Sequence, residues 1–264
     1  MTILDKIIEV KRQEVSEAQN KNPIEKLKDQ TLYHRETLSL ESALNKNLNI
    51  ISEFKRQSPS KGIINAHVDI KTTTENYERN GASALSILTD KSFFGGSNQD
   101  IIDVRDHINI PILRKEFIID TYQIYEAKSI GADAILLIAS CLSPLQVKEY
   151  TDLAKSLNLD VLLELHNEEE LNHIGPENKL IGINNRNLKT FDVSLDHSIH
   201  LRNQLPNDCI AIAESGIHSE EDVKNLMNNR FSTFLIGEYF MKEDDPGLKL
   251  NTLIHSINDN YEAY

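Results

Sequence analysis

Two charged residues stand two positions apart where a short apolar run ends. They are Glu53 and Lys55, in the stretch IISEFKRQSPSKG at 50–62. Residues i and i+2 of a strand point the same way, so both would share a face with Ile51. If that face looks into a barrel or sheet interior, the two charges lie at its rim, where they must pair or serve a ligand. The alternative is an exposed edge strand with solvated charges, and the rest of the chain has to decide between them.

Eight short apolar runs rich in β-branched residues recur along the chain, with helix-like segments between them. The runs cover 49–54, 84–89, 110–115, 133–139, 160–165, 180–184, 209–215 and 232–237. Their ends are spaced by roughly 20–34 residues, about the length of one strand, one helix and two loops in a repeated βα unit. Runs with little alternation of apolar and polar residues are typical of strands buried on both faces.

This repeat predicts an α/β fold, a (β/α)8 TIM barrel, that forms a single domain over 1–264 with an N-terminal helical extension over 1–45. A doubly wound open sheet is the competing architecture. However, no GxGxxG follows the first run, and eight evenly spaced units favour closure. Helix-start signals fit the repeat, because Ser143 and Pro144 open one helix and Ser219 caps another.

In such a barrel, chemistry is located at the carboxyl ends of the strands. Those ends carry Glu53, Lys55, Thr89, Asp90, Arg114, Lys115, Glu116, Ser140, Glu164, His166, Asn184, Asn185, Arg186, Glu214, Ser215, Gly216, Gly237 and Glu238. So many ionisable groups at one mouth would be costly unless they pair or serve a ligand. Glu53 and Lys55 are therefore interpreted as one sector of a polar ring. Gly216 and Gly237 follow the last two runs, where loops commonly hold a phosphate on backbone N–H groups.

Composition and charge argue against several classes of partner. The chain has 264 residues, of which 39% are hydrophobic, and a formal net charge of -13. That charge argues against a nucleic-acid or anionic-membrane partner, because the phosphates would be repelled. A small anionic substrate remains compatible, since a few local lysines outweigh charges beyond a screening length of roughly 8–10 Å.

The cysteines and the N-terminus bear on the cellular compartment. Cys141 and Cys209 show no metal-ligand or CxxC spacing, which predicts a reduced compartment without a disulfide framework. The N-terminal MTILDKIIEVKRQEV is amphipathic and acid-containing, unlike a signal sequence. No apolar run approaches the ~18 residues that span a bilayer. These features predict a cytoplasmic protein.

The stretches ISEFKRQSPSKG, LTDKSFFGGS, ILRKEFIID, QIYEAKSIGADAILLI, LLELHNEEEL, IGINNRNLKTF, AESGI and FLIGEYFM follow one another through all eight runs. Together they resemble the indole-3-glycerol-phosphate synthase family of tryptophan biosynthesis. The N-terminal TILDKIIEVKRQEV is similar to that family's extra helix before the barrel.

The resemblance implies a carbon–carbon lyase that needs no metal or organic cofactor. Its reaction converts 1-(2-carboxyphenylamino)-1-deoxyribulose 5-phosphate to indole-3-glycerol phosphate, carbon dioxide and water. The implied steps are ring closure, decarboxylation and dehydration. The expected partner is thus a small phosphorylated, anthranilate-derived substrate, and a monomer is compatible with the resemblance.

The resemblance also implies catalytic roles at matching positions. Lys115 matches the general acid that protonates the keto oxygen, and apolar walls and other cations are expected to lower its pKa. Glu164 matches the carboxylate that stabilises positive charge on the aniline nitrogen and can act as a base. Glu53 matches a second carboxylate, which takes part in the proton transfers of the dehydration step. Lys55 matches a lysine that contacts anionic groups of the substrate or donates a proton. Asn184 completes the catalytic set.

Further positions match contacts to the substrate. The substrate-binding positions are Ser58, Phe94, Arg186, Glu214 and Ser215, and the phosphate-binding positions are Gly216, Gly237 and Glu238. Arg186 and Asn184 fit hydrogen bonds to the sugar hydroxyls and anionic groups. Phe94 is placed to stack on the anthranilate ring, although a core or lid aromatic would be nearly as compatible. Ser58 also fits the phosphate site, with the backbone N–H groups of the two loops.

Two positions depart from the family's pattern. Glu116 stands where an aspartate is expected, and Thr121 stands where a proline is usual. The longer Glu116 arm is expected to displace a contact with Lys115. His166 has no partner at a suitable spacing and is interpreted as structural, and the acids at 167–170 as the solvated start of a helix.

Other functions stay open at this point. A phosphoribosylanthranilate isomerase needs a cysteine–aspartate pair, and neither cysteine ends the first run. A Schiff-base aldolase would use Lys115 and leave the other charged residues of the catalytic set unexplained. A barrel that only binds its ligand would be expected to lack Lys115, Glu164 or Glu53. We also expect removal of 1–45 to weaken substrate binding more than it unfolds the barrel.

Overall fold

The structure is a computed structural model that describes residues 2–65, 67–186 and 192–261. Within these residues, eight parallel strands close into a barrel, and two further strands form a short antiparallel hairpin. In chain order the strands are β1 (Asn49–Phe54), β2 (Gln57–Ser58), β3 (Gly62–Ile63), β4 (Ala84–Leu88), β5 (Ile112–Lys115), β6 (Ala134–Ile138), β7 (Asp160–Leu165), β8 (Leu180–Asn184), β9 (Ile210–Glu214) and β10 (Thr233–Ile236). The hairpin is β2–β3, and β1 pairs with both β4 and β10 to close the barrel.

The predicted α/β barrel is confirmed, and the open-sheet alternative is wrong because β1 has a neighbour on each side. Strands β1, β7 and β8 match the predicted runs end to end, and the others are one or two residues shorter. The run predicted at 110–115 begins at Ile112. Pro111 precedes it, has no N–H to give to a strand ladder, and only accepts from Leu85 through its carbonyl at 2.9 Å.

Helices surround the barrel and precede it. They are α1 (Ile3–Lys21), α2 (Ile24–Lys28), α3 (Leu40–Ala43), α4 (Ile70–Arg79), α5 (Asn98–Arg105), α6 (Tyr122–Ser129), α7 (Pro144–Ser156), α8 (Leu195–Arg202), α9 (Glu220–Asn228), α10 (Glu238–Met241) and α11 (Pro246–Tyr261). The predicted caps are confirmed, since Ser143 and Ser219 accept hydrogen bonds from the backbone N–H groups of Gln146 and Asp222. Among the described helices, none is both long and apolar enough to cross a bilayer.

Apolar side chains fill two layers. One layer lies between the strands and the helices and includes Tyr77 and Phe240. The other fills the barrel interior and includes Ile51 and Leu113. Burying one such side chain stabilises the fold by about 1.5–3 kcal/mol, so the strands form a well-packed frame for the residues at their ends.

The chain before β1 is tied to the amino-terminal end of the barrel. Leu40 and Leu44 are buried in the interior cluster and plug that end. Asp133 at the start of the β6 segment is fully buried, and its carboxylate lies 2.5 Å from both Arg35 and Arg105. Part of the N-terminal extension is therefore integral to the barrel core.

Candidate active site

A cleft of about 1200 Å³, including its open mouth, lies at the carboxyl ends of the barrel strands. Every site residue predicted from the sequence lines it, namely Glu53, Lys55, Ser58, Phe94, Lys115, Glu164, Asn184, Arg186, Glu214, Ser215, Gly216, Gly237 and Glu238. Apolar side chains such as Leu136, Ile138 and Leu235 form part of the wall. Polar groups thus converge on one apolar-walled cleft, the usual form of a small-molecule site.

Lys115 lies at the centre of the inner polar ring. Its Nζ is 3.2 Å from Glu164 Oε2 and also donates to Glu214 Oε2. The three residues come from β5, β7 and β9, alternate strands whose inward side chains share a layer of the barrel. Gly182 on β8 leaves room for this arrangement, because a Cβ there would overlap Glu214 Oε1.

The surroundings of Lys115 differ from the predicted ones. Burial acts to lower its pKa, but the carboxylates of Glu214, Glu164 and Glu53 outweigh burial and raise the pKa above its usual value. The expectation of a lowered pKa is therefore wrong. The ammonium group therefore keeps its proton across neutral pH.

The two carboxyl groups beside Lys115 respond in opposite directions. Burial raises the pKa of Glu164, but Lys115 and His166 outweigh burial and hold it well below its usual range. Burial also raises the pKa of Glu214, and the neighbouring Glu164 charge adds to that effect against Lys115, so the value reaches about 8. Near neutral pH, one ionised and one largely protonated carboxyl group therefore flank the ammonium.

Glu53 and Lys55 form an ion pair at the rim, with Nζ 2.5 Å from Oε1. Glu53 belongs to β1, Lys55 directly follows that strand, and both line the cleft. Because β1 is flanked by strands on both sides, the edge-strand alternative is wrong. The Glu53 carboxylate lies against the backbone of Gly237. A Cβ at Gly237 would lie 2.6 Å from Glu53 Oε1, which explains the glycine at the end of the last strand.

His166 has partners that its sequence neighbourhood does not reveal. Its Nε2 lies 3.1 Å from Glu164 Oε1, and its Nδ1 lies 3.0 Å from Ser140 Oγ. Burial acts to lower its pKa, but Glu164 and Glu170 outweigh burial and raise the value to about 9. The interpretation of a histidine without a partner is wrong. Glu170, predicted to be solvated, is buried and accepts the His166 backbone N–H at 2.6 Å.

Asn184 connects the inner ring to the loop after β8. Its Nδ2 donates to Glu164 Oε1 at 3.2 Å, and its Oδ1 accepts the backbone N–H of Arg186 at 3.0 Å. The side chain of Asn184 therefore orients the Glu164 carboxylate and also fixes the turn that carries Arg186. The rest of this motif, residues 187–191, lies outside the described residues.

The loops after β9 and β10 form one end of the cleft. Ser215 and Gly216 both adopt the left-handed backbone conformation, with φ of 65° and 72°, so the chain turns sharply there. Glu238 after β10 lies 3.7 Å from Lys61, which belongs to the loop of the β2–β3 hairpin, and Ser58 is the last residue of β2. Successive turn N–H groups next to a lysine are suited to a phosphate group.

An aromatic pair forms another part of the wall. The Phe94 and Phe117 rings lie 5.9 Å apart, and both line the cleft. Phe117 was missed from the sequence, although it stands only two residues beyond the end of β5. Helix α1, whose removal with 1–45 was expected to weaken substrate binding, contributes Ile3, Leu4 and Ile7 to the wall.

The sequence profile of the indole-3-glycerol phosphate synthase family matches residues 4–253. The chain belongs to this family. It is 46% identical to the indole-3-glycerol phosphate synthase of Bacteroides thetaiotaomicron, over 97% of this chain and 98% of that relative. The synthase of Polaromonas sp. is 42% identical over 95% of this chain and 97% of the relative. That of Carboxydothermus hydrogenoformans is 40% identical over 95% and 99%, respectively.

Solved structures of other proteins share the barrel architecture. Tryptophan synthase subunit alpha from Legionella pneumophila superimposes with a TM-score of 0.61, covering 83% of this chain and 98% of that chain at 12% identity. Thiamine phosphate pyrophosphorylase from Pyrococcus furiosus gives a TM-score of 0.59, covering 82% and 98%, also at 12% identity. At such low identity, the likeness shows the fold alone.

The local structure accommodates both departures from the synthase pattern, Glu116 and Thr121. Glu116 uses its longer arm to reach Lys11 at 3.0 Å and to accept from Thr89 Oγ1 at 2.8 Å. The same side chain accepts the Phe117 backbone N–H at 2.8 Å. Thr121 precedes α6 with φ of -59°, a value that proline also adopts, so this backbone position is compatible with either residue.

Proposed function

We propose that this chain acts as an indole-3-glycerol-phosphate synthase on 1-(2-carboxyphenylamino)-1-deoxyribulose 5-phosphate. The observation that carries the proposal is the position of Lys115, whose ammonium group contacts Glu164 and Glu214 inside the cleft. A proton donor beside paired carboxyl groups suits a reaction made of successive proton transfers. Phosphate-type loops at one end and an aromatic pair in the wall suit the two ends of this substrate.

Ring closure would use Lys115 as the acid. A bond forms between the ring carbon that bears the carboxylate and the keto carbon, while the keto oxygen takes a proton from Lys115. Positive charge then develops on the aniline nitrogen, where the ionised Glu164 stabilises it. Asn184 and His166 hold Glu164 in place through its other oxygen.

Decarboxylation and dehydration would follow in the same cleft. Loss of carbon dioxide leaves an electron pair that restores the aromatic ring and neutralises the nitrogen. The new hydroxyl group then takes a proton and leaves as water, while a base removes a proton from the adjacent carbon. We assign this step to the Glu53–Lys55 pair, with Lys55 as donor and Glu53 as base. One proton from solvent reloads the donor in each cycle.

The substrate would lie across the cleft. Its phosphate would meet the backbone N–H groups of Gly216, Gly237 and Glu238, with Ser58 nearby. Its anthranilate ring would meet the aromatic pair. Arg186 and Ser215 would contact the sugar hydroxyls between these ends.

Turnover of the purified full-length chain tests the proposal directly. We expect the indole fluorescence of the product to rise after substrate addition, with one carbon dioxide released per indole formed. Tight binding of the substrate without product would contradict the proposal and indicate a binding protein. Conversion of phosphoribosylanthranilate instead would indicate an isomerase.

We also propose a cytoplasmic location. Cys141 and Cys209, both within the described residues, are free thiols, which supports a reducing compartment. Fractionation of cells that express the full chain would check this, with activity expected in the cytosolic fraction.

A further inference from the structure

Lys11 is buried, with 4% of its surface exposed, although it belongs to a helix outside the barrel. Its Nζ lies 3.1 Å from Asp90 Oδ2, 3.0 Å from Glu116 Oε1 and 2.5 Å from Glu14 Oε2. Asp90 and Glu116 belong to the barrel, while Glu14 belongs to the same helix as Lys11. One cation therefore joins α1 to two strand-end loops.

Asp90 organises the loop after β4. Its Oδ1 accepts the backbone N–H groups of Phe93 at 2.7 Å and Phe94 at 3.1 Å. Since these bonds fix the backbone from which the Phe94 ring projects, the position of the Asp90 carboxylate sets the position of that ring. Lys11 contacts the other oxygen of the same carboxylate.

Glu116 organises the loop after β5 in the same way. It accepts the backbone N–H of Phe117 at 2.8 Å through the oxygen that contacts Lys11. Its second oxygen accepts from Thr89 Oγ1 at 2.8 Å. Lys11 thus touches both carboxylates that hold the aromatic pair, whose ring centroids lie 5.9 Å apart.

The two carboxylates need a cation between them. Asp90 is fully buried and Glu116 is 4% exposed, so neither charge is compensated by solvent. Burial acts to lower the pKa of Lys11, but Glu116 and Asp90 outweigh burial and raise it, so the ammonium stays charged. Without that charge, the carboxylates would repel each other across the gap it fills, and Arg114, 4.0 Å from Glu116 Oε2, would offset only part of the Glu116 charge.

We propose that Lys11 is a positioning residue that sets the aromatic pair Phe94 and Phe117, the part of the cleft wall against which the anthranilate ring of the substrate packs. The same contacts tie α1, whose aliphatic side chains line the cleft, to the loops that carry this pair. This inference rests on the proposed function, because it takes the anthranilate ring as the group that packs against the pair.

The test compares Lys11→Met with Lys6→Met, a matched loss of an exposed lysine on the same helix. We expect Lys11→Met to raise KM about tenfold or more with kcat changed less than about threefold, and Lys6→Met to change neither. The binding of two ligands reports separately on the aromatic end and the phosphate end of the cleft. Affinity for the substrate reduced at its keto group should fall about tenfold in Lys11→Met. Affinity for ribulose 5-phosphate, which lacks the ring, should stay within about twofold.

Two more variants separate positioning from simple anchoring. Lys11→Arg should restore most of the affinity for the reduced substrate. Adding Glu116→Gln to Lys11→Met should also restore part of it, because one of the two repelling charges is removed. Anchoring of α1 alone predicts recovery in Lys11→Arg but none in the double variant, so absence of recovery in the double variant would overturn the proposal.

Each remaining outcome has a distinct meaning. Equal losses of affinity for both ligands, or unchanged KM in Lys11→Met, would overturn the inference. If the wild type binds the reduced substrate but gives no product, the proposed function fails. The ratio of the affinities of Lys11→Met and Lys6→Met for the reduced substrate then still tests whether Lys11 positions the aromatic pair.

Discussion

Glu164 and His166, two residues apart on the same strand face, contact each other through Oε1 and Nε2 at 3.1 Å. The other oxygen of Glu164 faces Lys115 at 3.2 Å, so this carboxylate lies between two cations. Both cations favour its ionised form, which is the form that the proposed mechanism uses to stabilise positive charge on the substrate nitrogen. The histidine therefore belongs to the electrostatics of the site.

His166→Asn should lose stability in a way that depends on pH. The pKa of His166 rises from 6.5 to about 9 in the folded chain, so the folded state holds this proton more tightly than the unfolded chain does. The stabilisation that protonated His166 provides is complete below about pH 6.5 and is lost as the pH rises through about 9. We expect the unfolding free energy of the wild type to exceed that of His166→Asn by roughly 3 kcal/mol at pH 6, and by much less at pH 9.

Urea unfolding at a series of pH values measures this difference. His107→Asn, a change at an exposed histidine, provides the control and should show no comparable trend. A difference that stays constant between pH 6 and 9 would show that His166 contributes packing rather than charge.

Glu214→Gln should change the pH profile of activity. The pKa of Glu214 is about 8, because burial and the Glu164 charge outweigh the attraction of Lys115. Above that pH, a second negative charge beside Lys115 would hold its proton more tightly and repel an anionic substrate. We expect kcat/KM of the wild type to decline above about pH 8, and the decline to move upward in Glu214→Gln. Glu221→Gln, at an exposed position on α9, should leave the profile unchanged, and an identical midpoint in all three proteins would refute this assignment.

Asp133→Asn should destabilise the whole barrel. The carboxylate is fully buried and pairs with Arg35 and Arg105 at 2.5 Å each. Removing its charge leaves Arg105 buried without compensation, at a cost of about 3–5 kcal/mol. Chemical denaturation measures the loss of unfolding free energy. Asp152→Asn, which removes one partner of an exposed ion pair on α7, serves as the control. Equal stability of the two variants would show that the cluster is energetically neutral.

Two truncations should separate the roles of the N-terminal extension. Removing 2–21 deletes α1 and its part of the cleft wall, so we expect weaker substrate binding with a modest loss of stability. Removing 1–45 also deletes Leu40, Leu44 and Arg35, each tied to the barrel core. Because a lost core leucine alone costs about 2–5 kcal/mol, the longer truncation should unfold the barrel. This revises the expectation drawn from the sequence, and a stable 46–264 fragment would restore it.

The fold and the membership of the site could be predicted because both follow from local patterns. Apolar runs predict the strands, and closure of the barrel brings their carboxyl ends together. Glu53, Lys115, Glu164 and Glu214 could thus be assigned to one mouth without any knowledge of distances.

Charge states could not be predicted in the same way. The carboxylates that raise the pKa of Lys115 come from strands far away in the chain, so only the closed barrel shows that acids surround it. Lys11 looks like a solvated charge on an amphipathic helix, and Glu170 looks like one more acid of a solvated run. Their burial depends on which surface covers them, and a local sequence pattern does not contain that information.

The most direct test is the rate of indole formation by Lys115→Met, with Lys148→Ala as the control at an exposed lysine. The account predicts that Lys115→Met binds the reduced substrate within about tenfold of the wild type. It predicts a loss of kcat by about 10²–10⁴-fold, the usual contribution of a general acid, with Lys148→Ala unchanged. Turnover by Lys115→Met within about tenfold of the wild type would contradict the assignment of Lys115 as the proton donor.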